Sequence, residues 1–155
     1  MQEKSKVTET LKITGHINIK LFGPDGELKQ EIDKSNLVVT VGKSFLATWL
    51  AAASQAGEFM SWIGLGTGMT APTIGDTNLQ TPLPTRVQGL LTTPGSTNIW
   101  QNQATFGPGV DTGAITEAGL FSASTLGTMF ARQVFAVVNK GAGDTFVLTW
   151  QVQFN

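Results

Sequence analysis

Apolar and polar residues alternate along the first part of the chain. Leu11, Ile13, Ile17, Ile19 and Leu21 share one parity; Lys12, Thr14, His16, Asn18 and Lys20 share the other. A period of two places one set on a buried sheet face. Gly15 interrupts the apolar set, as a bulge or a close neighbour would require. Gly23-Pro24-Asp25-Gly26 is a strong turn, and Leu28 to Val39 reads as the returning strand. Residues 10–39 therefore read as a long hairpin. The clearest alternation closes the chain: Phe146, Leu148, Trp150, Val152 and Phe154 against Val147, Thr149, Gln151 and Gln153.

Between these ends the period changes once. Over residues 42–54, Phe45, Leu46, Trp49, Leu50 and Ala53 fall on one face of a helix. Ala51-Ala52-Ala53 favours helix, and Gly57 is placed to end it. This helix is expected to cover an open end or face of a sheet. Trp62–Gly66 is short and apolar, and residues 67–83 read as loop with room for a helical turn at Asp76–Leu79. Arg86–Thr92, Ile99–Phe106, Ala114–Ser122 and Thr128–Val138 are further strands, separated by Gly- and Pro-containing turns. About eight strands and one short helix predict a mainly β fold, an antiparallel β-sandwich of jelly-roll-like form. Residues 10–155 form one domain, with 60–155 supplying the remaining strands. Residues 1–9 read as a polar N-terminal arm.

Charge is distributed unevenly. Residues 1–43 hold seven of the ten basic and six of the eleven acidic residues, leaving eight charges for the other 112 residues. Polar but uncharged surfaces suit subunit contacts, where charge is depleted from the buried centre. Threonine-rich strands are the competing explanation. A net charge of −1 gives little attraction to nucleic acid or acidic lipid, so neither is an expected partner. No apolar run is long enough to span a membrane, and residues 1–9 lack the apolar stretch of a signal peptide. The expected site of synthesis and use is a cytoplasm, without export.

The candidate chemistry is thin. With no cysteine and one histidine, His16, thiolate sites and multi-histidine metal clusters are excluded. Gly42-Lys43-Ser44 resembles the end of a phosphate loop, but Leu37 stands where its first glycine belongs, so a helix start is the better reading. Gly64-Leu65-Gly66-Thr67-Gly68 lacks the third glycine of a dinucleotide fingerprint, having Met69 there. It reads as a tight strand exit packed on a neighbouring backbone. His16 needs a partner acid for catalysis, Glu117 or Asp144 being available. Asp76, Asp111, Glu117 and Asp144 contain no selected pair for glycoside hydrolysis. Trp49 and Trp150 lie on apolar faces and read as core. Trp62 and Trp100 are less constrained and are candidate contact residues, for a protein or a sugar, with simple burial as the alternative.

From about Trp62 onward the chain resembles virion proteins of tailed bacteriophages, in particular small capsid cement or decoration proteins. The residues that carry the resemblance are Ile63–Gly68, Thr70-Ala71-Pro72, Asp76-Thr77-Asn78-Leu79, Ile115-Thr116-Glu117-Ala118-Gly119-Leu120-Phe121, Met129-Phe130-Ala131-Arg132, and Val138-Asn139-Lys140 through Asp144 into the last strand. The segment Ile115–Phe121 is also similar to segments of phage fibre proteins. The resemblance implies a structural β-domain without catalytic residues, cofactor or metal. It implies a place on the outer capsid surface, with the major capsid protein and further copies of the chain, as dimer or trimer, for partners. Lys4 and Lys6 of the arm, with Trp62 and Trp100, are the candidate interface residues. A tail or fibre-attachment module and a carbohydrate-binding jelly roll are the alternatives.

Overall fold

The computed structural model describes residues 10–51, 59–95 and 98–155. Among them are nine strands and one helix: β1 (Ile13–Phe22), β2 (Leu28–Val38), α1 (Thr40–Ala51), β3 (Trp62–Gly66), β4 (Pro82–Gln88), β5 (Leu90–Thr92), β6 (Ile99–Phe106), β7 (Gly113–Phe121), β8 (Met129–Lys140) and β9 (Thr145–Phe154). The arm at residues 1–9, with Lys4 and Lys6, lies outside the described residues, as do Ala52, Ala53 and Gly57 at the expected helix end.

The strands run in the order β4-β3-β7-β8-β2-β1-β9-β6-β5, with neighbours antiparallel. This is the antiparallel sandwich the alternation predicts, curled until it is nearly closed. β2 joins its two layers. It pairs with β1 from Leu28 to Asn36 but meets β8 only at Leu37↔Arg132 and Val38↔Ala131. Beyond that point side chains bridge the seam. Lys34 Nζ donates to the Val134 carbonyl at 2.8 Å, and Gln30 Nε2 to the Val137 carbonyl at 3.1 Å. A register shift between Ile115 and Glu117 bulges the β7–β8 pair beside this seam. A lysine and a bulge at an edge discourage pairing with foreign strands.

The opposite corner corrects the expected strand count. Arg86–Thr92 is two strands, because the chain passes between layers at Gly89. The Gly89 amide donates to the Ser61 carbonyl at 2.8 Å, and a Cβ there would run into the Asn102 side chain. β4 also reaches back to Pro82, into residues read as loop. Pro82 and Pro84 are tolerated because β4 ends the strand order, where a missing N–H leaves no ladder bond unmade. No helical turn forms at Asp76–Leu79. The turn there runs from Thr73 to Asp76, closed by the Asp76 amide on the Thr73 carbonyl at 3.1 Å.

The helix starts at Thr40, two residues before its expected start. Gly42 lies in its first turn, where a Cβ would collide with the Phe130 backbone. Glycine here permits close helix–strand packing, which accounts for Gly42-Lys43-Ser44 without a nucleotide. Gly15 proves to face a close neighbour: the Asn36 side chain occupies the space its Cβ would need, and the register is unbroken there.

The core follows the alternation. Ile17, Ile19 and Leu21 of β1 face Phe146, Leu148, Trp150 and Val152 of β9, with Phe106 edge-on to Phe146 at 6.0 Å. Trp150 is fully buried. Trp150→Ala is expected to cost about 3–5 kcal/mol, as loss of a large buried aromatic does. Urea unfolding of the two proteins measures it, and a loss under about 1 kcal/mol would contradict the packing.

Candidate functional site

β7 and β8 each carry one buried charge, Glu117 and Arg132, and the two form an ion pair. β7 is buried on both faces from Ile115 to Phe121, because residues 67–81 cross its outer side. Glu117 therefore stands in the interior, and Arg132 of β8 stands beside it, both with fully buried side chains. Arg132 donates to Glu117 Oε2 through Nε at 2.9 Å and Nη2 at 2.8 Å. Its Nη1 reaches Asp76 Oδ2 at 2.8 Å, and Nη2 also reaches the Thr70 carbonyl at 3.0 Å. Glu117 accepts the amides of Gly68 and Thr81 at Oε1, at 3.0 and 2.8 Å, and that of Gln80 at Oε2, at 3.1 Å. Burial works against the Asp76 carboxylate, but the Thr73 amide and hydroxyl and Arg132 outweigh it and hold its pKa below the ordinary value.

This pair explains the glycines. A Cβ on Gly66 or Gly68 would lie 2.5 Å from Glu117 Oε1. The Gly64–Gly68 run is thus a tight strand exit, packed on a carboxylate as well as on backbone. Sequence reading placed Glu117 only among loose candidate acids and did not single out Arg132. The available signal was one acid inside the apolar run 114–121 and one base inside 129–138. Lone opposite charges in two buried strands must find each other.

The other candidates do not assemble a catalytic group. His16 is exposed and bonds Asp33 Oδ1 through Nε2 at 3.0 Å; Glu117 and Asp144 are engaged elsewhere. The Asn18 side chain, then His16, hold the Asp33 carboxyl below its ordinary range. Ser35 lies opposite His16 in register on β2. Asp144 is held low first by Lys29, whose Nζ lies at 2.8 Å, then by the Gly141 amide. Among the described residues no group of three or more His, Cys, Asp or Glu is placed to hold a metal, and no helix is long and apolar enough to cross a membrane.

Asp111 is buried, in left-handed backbone (φ 45°), and neither carboxylate oxygen completes a hydrogen bond among the described residues. Burial pushes its pKa up, with Thr85 and the Lys140 charge pulling back. Lys140 is buried too, donating to the Gly107 carbonyl at 2.9 Å, and burial pushes its pKa down.

The two tryptophans part company. Trp62 is half-buried on the outer side of β3, against the cluster of Val39, Leu79, Phe121 and Met129 that seals residues 67–81 onto the sheet. It supports the ion-pair region. Trp100 lines an open apolar cleft of about 270 Å³ at the end of the body where α1 meets β8. Phe45, Leu46 and Trp49 of α1 form one wall, and Phe59 and Met60 another. Leu91, Phe154, Trp100 and Phe130 complete it, the last two edge-on at 6.1 Å. Trp49, expected in the core, is half-buried instead and faces this cleft, because α1 seats only its first turns on β8. None of the described residues that line the cleft is charged. A sugar platform needs placed polar groups beside its aromatics, and these side chains provide none but the indole N–H groups.

Compared with protein-family models, curated proteins and solved structures, the chain matches none.

Two outcomes follow from these charges. Glu117→Ala leaves Arg132 buried beside fewer partners and is expected to cost about 3–5 kcal/mol in urea unfolding. Asp111→Asn acts in the other direction. A raised folded-state pKa means the ionised carboxylate opposes folding, so the stability of the unsubstituted protein falls as pH rises through that value. The asparagine variant should melt higher at neutral pH, and the gain should vanish below about pH 4, where the carboxyl is protonated in both states. Melting curves across pH measure this.

Proposed function

We propose that this chain is a structural protein of a tailed-bacteriophage virion, a cement protein that binds the outer surface of the assembled capsid and stabilises it. The observation that carries the reading is the Trp100 cleft: an open aromatic surface whose described lining carries no charge, on a charge-poor, nearly closed β body. Aromatic anchors surrounded by apolar neighbours are what protein interfaces use for affinity. The resemblance supports the same reading, since its residues build a rigid scaffold around Glu117 and Arg132. A cement protein need do no chemistry. It must hold its shape and bind the lattice better than it binds free subunits, so that mass action favours the assembled shell.

On this reading the partners are the major capsid protein and further copies of the chain. Lys4 and Lys6, in residues 1–9, supply polar contacts to the shell, and the Trp100 cleft supplies an apolar one between subunits. Trp62 is partly buried in the packing beneath residues 67–81, and its remaining exposed edge is the part available to a contact.

The test is cosedimentation of the purified protein with mature shells stripped of it. Saturable binding at many copies per shell is expected. Binding only to tails would move the protein to a tail or fibre-attachment role. Deleting residues 1–9 should leave the melting temperature unchanged and weaken shell binding, and an unchanged isotherm would remove the arm from the contact.

A further inference from the structure

The turn between β7 and β8 presents a leucine in an unusual way. Leu126 is 88% exposed, the most exposed large apolar side chain among the described residues. Its backbone is left-handed (φ 55°), a conformation that a bulky side chain adopts only when its surroundings impose it. The surroundings here do so. The base of the turn is closed by the Ser122 amide on the Thr128 carbonyl at 3.0 Å and by the Thr128 amide on Ser122 Oγ at 2.9 Å. Arg86 Nη1 then reaches the Ala123 carbonyl at 3.0 Å and the Leu126 carbonyl at 2.6 Å. The same guanidinium lies over the Phe121 ring, 3.4 Å from its centroid. Arg86 thus spends its donors on backbone, and its charge on a ring, to hold one turn. Gly127, also left-handed (φ 68°), completes the bend. The result is a rigid loop with an apolar side chain at its tip and no charged residue from Ser122 to Thr128.

The complement of such a knob is present on the same molecule. None of the described residues that line the Trp100 cleft is charged, and its 270 Å³ exceeds the roughly 150 Å³ that accepts a benzene-sized group, so an isobutyl group fits within it. The one charge beside the knob, on Arg86, is already engaged by two carbonyls and a ring, and a clamped turn has little conformational freedom to lose.

We infer that Leu126 of one copy inserts into the Trp100 cleft of a second copy, making a head-to-tail contact between identical chains. The inference rests on reading the Trp100 cleft as an intersubunit surface. A contact of this kind joins two different patches, so it builds rings when the rotation closes. Shell binding and self-association are separate measurements, so failure of one is distinguishable from failure of the other.

The experiment is light scattering coupled to size-exclusion chromatography on the full chain. The unsubstituted protein should run as a multiple of the chain mass. Leu126→Asp and Phe59→Asp both alter exposed side chains, one on the knob and one on the rim of the cleft. Each should weaken association by more than about tenfold and run as a single chain, with an unchanged melting temperature. An equal mixture of the two retains one intact knob and one intact cleft, and should form a two-chain species and nothing larger. Three results would overturn the inference: a single-chain mass for the unsubstituted protein at its highest soluble concentration, a retained multiple for Leu126→Asp, or a mixture that stays single-chain.

Discussion

Two opposite charges inside a β body set the terms for everything around them. Glu117 and Arg132 are both fully buried, and a buried charge without partners costs several kcal/mol even after relaxation, on the order of the whole stability of a small domain. The structure answers by surrounding them. Residues 67–81 are drawn across β7 so that three amides reach Glu117, while Asp76 and the Thr70 carbonyl take the far side of Arg132. Glycines at 66 and 68 leave room for the carboxylate, and Leu79 seals the segment down. A long segment without regular structure is held to one path by this arrangement.

That organisation separates the parts that hold shape from the parts free to bind. Residues 63–81, 115–121 and 129–132 lie in or beside the ion-pair network. The open surfaces are drawn largely from elsewhere: α1, Phe59, Leu91 and Trp100 at the cleft, and Leu126 at its turn. Phe130 belongs to both, since it is close to Arg132 in β8 and also lines the cleft.

Much of the fold was legible because one buried face enforces a period of two. β1 and β9 follow their alternation almost residue for residue, and Trp150 lies where parity puts it. β7 was harder. It is covered on both sides, so its pattern is a continuous run, and the sense of its lone acid depends on a segment nearly forty residues earlier in the chain. The split at Gly89 was hidden because the residues on either side both suit strand; only the Asn102 side chain decides it. The cleft was invisible for a related reason. The helical face of Phe45, Leu46 and Trp49 was read correctly as apolar, but how far a sheet covers that face is a tertiary fact. The left-handed Leu126 has no sequence signal beyond the glycine that follows it.

β1 and β9 pair along ten residues, from Ile13↔Phe154 to Phe22↔Thr145. These strands form the middle of one layer, with β2 on one side and β6 on the other. The order in which the chain emerges from the ribosome is therefore at odds with the order of the sheet. The β1–β2 hairpin can form early, but β1 lacks its second neighbour until β9, far along the sequence, has been made. Pairings so distant along the chain are slow, since loop closure must precede the contacts that reward it. Closure of this body waits on β9, and until then the side chains of Ile17, Ile19 and Leu21 lack the cover of Phe146, Leu148 and Trp150.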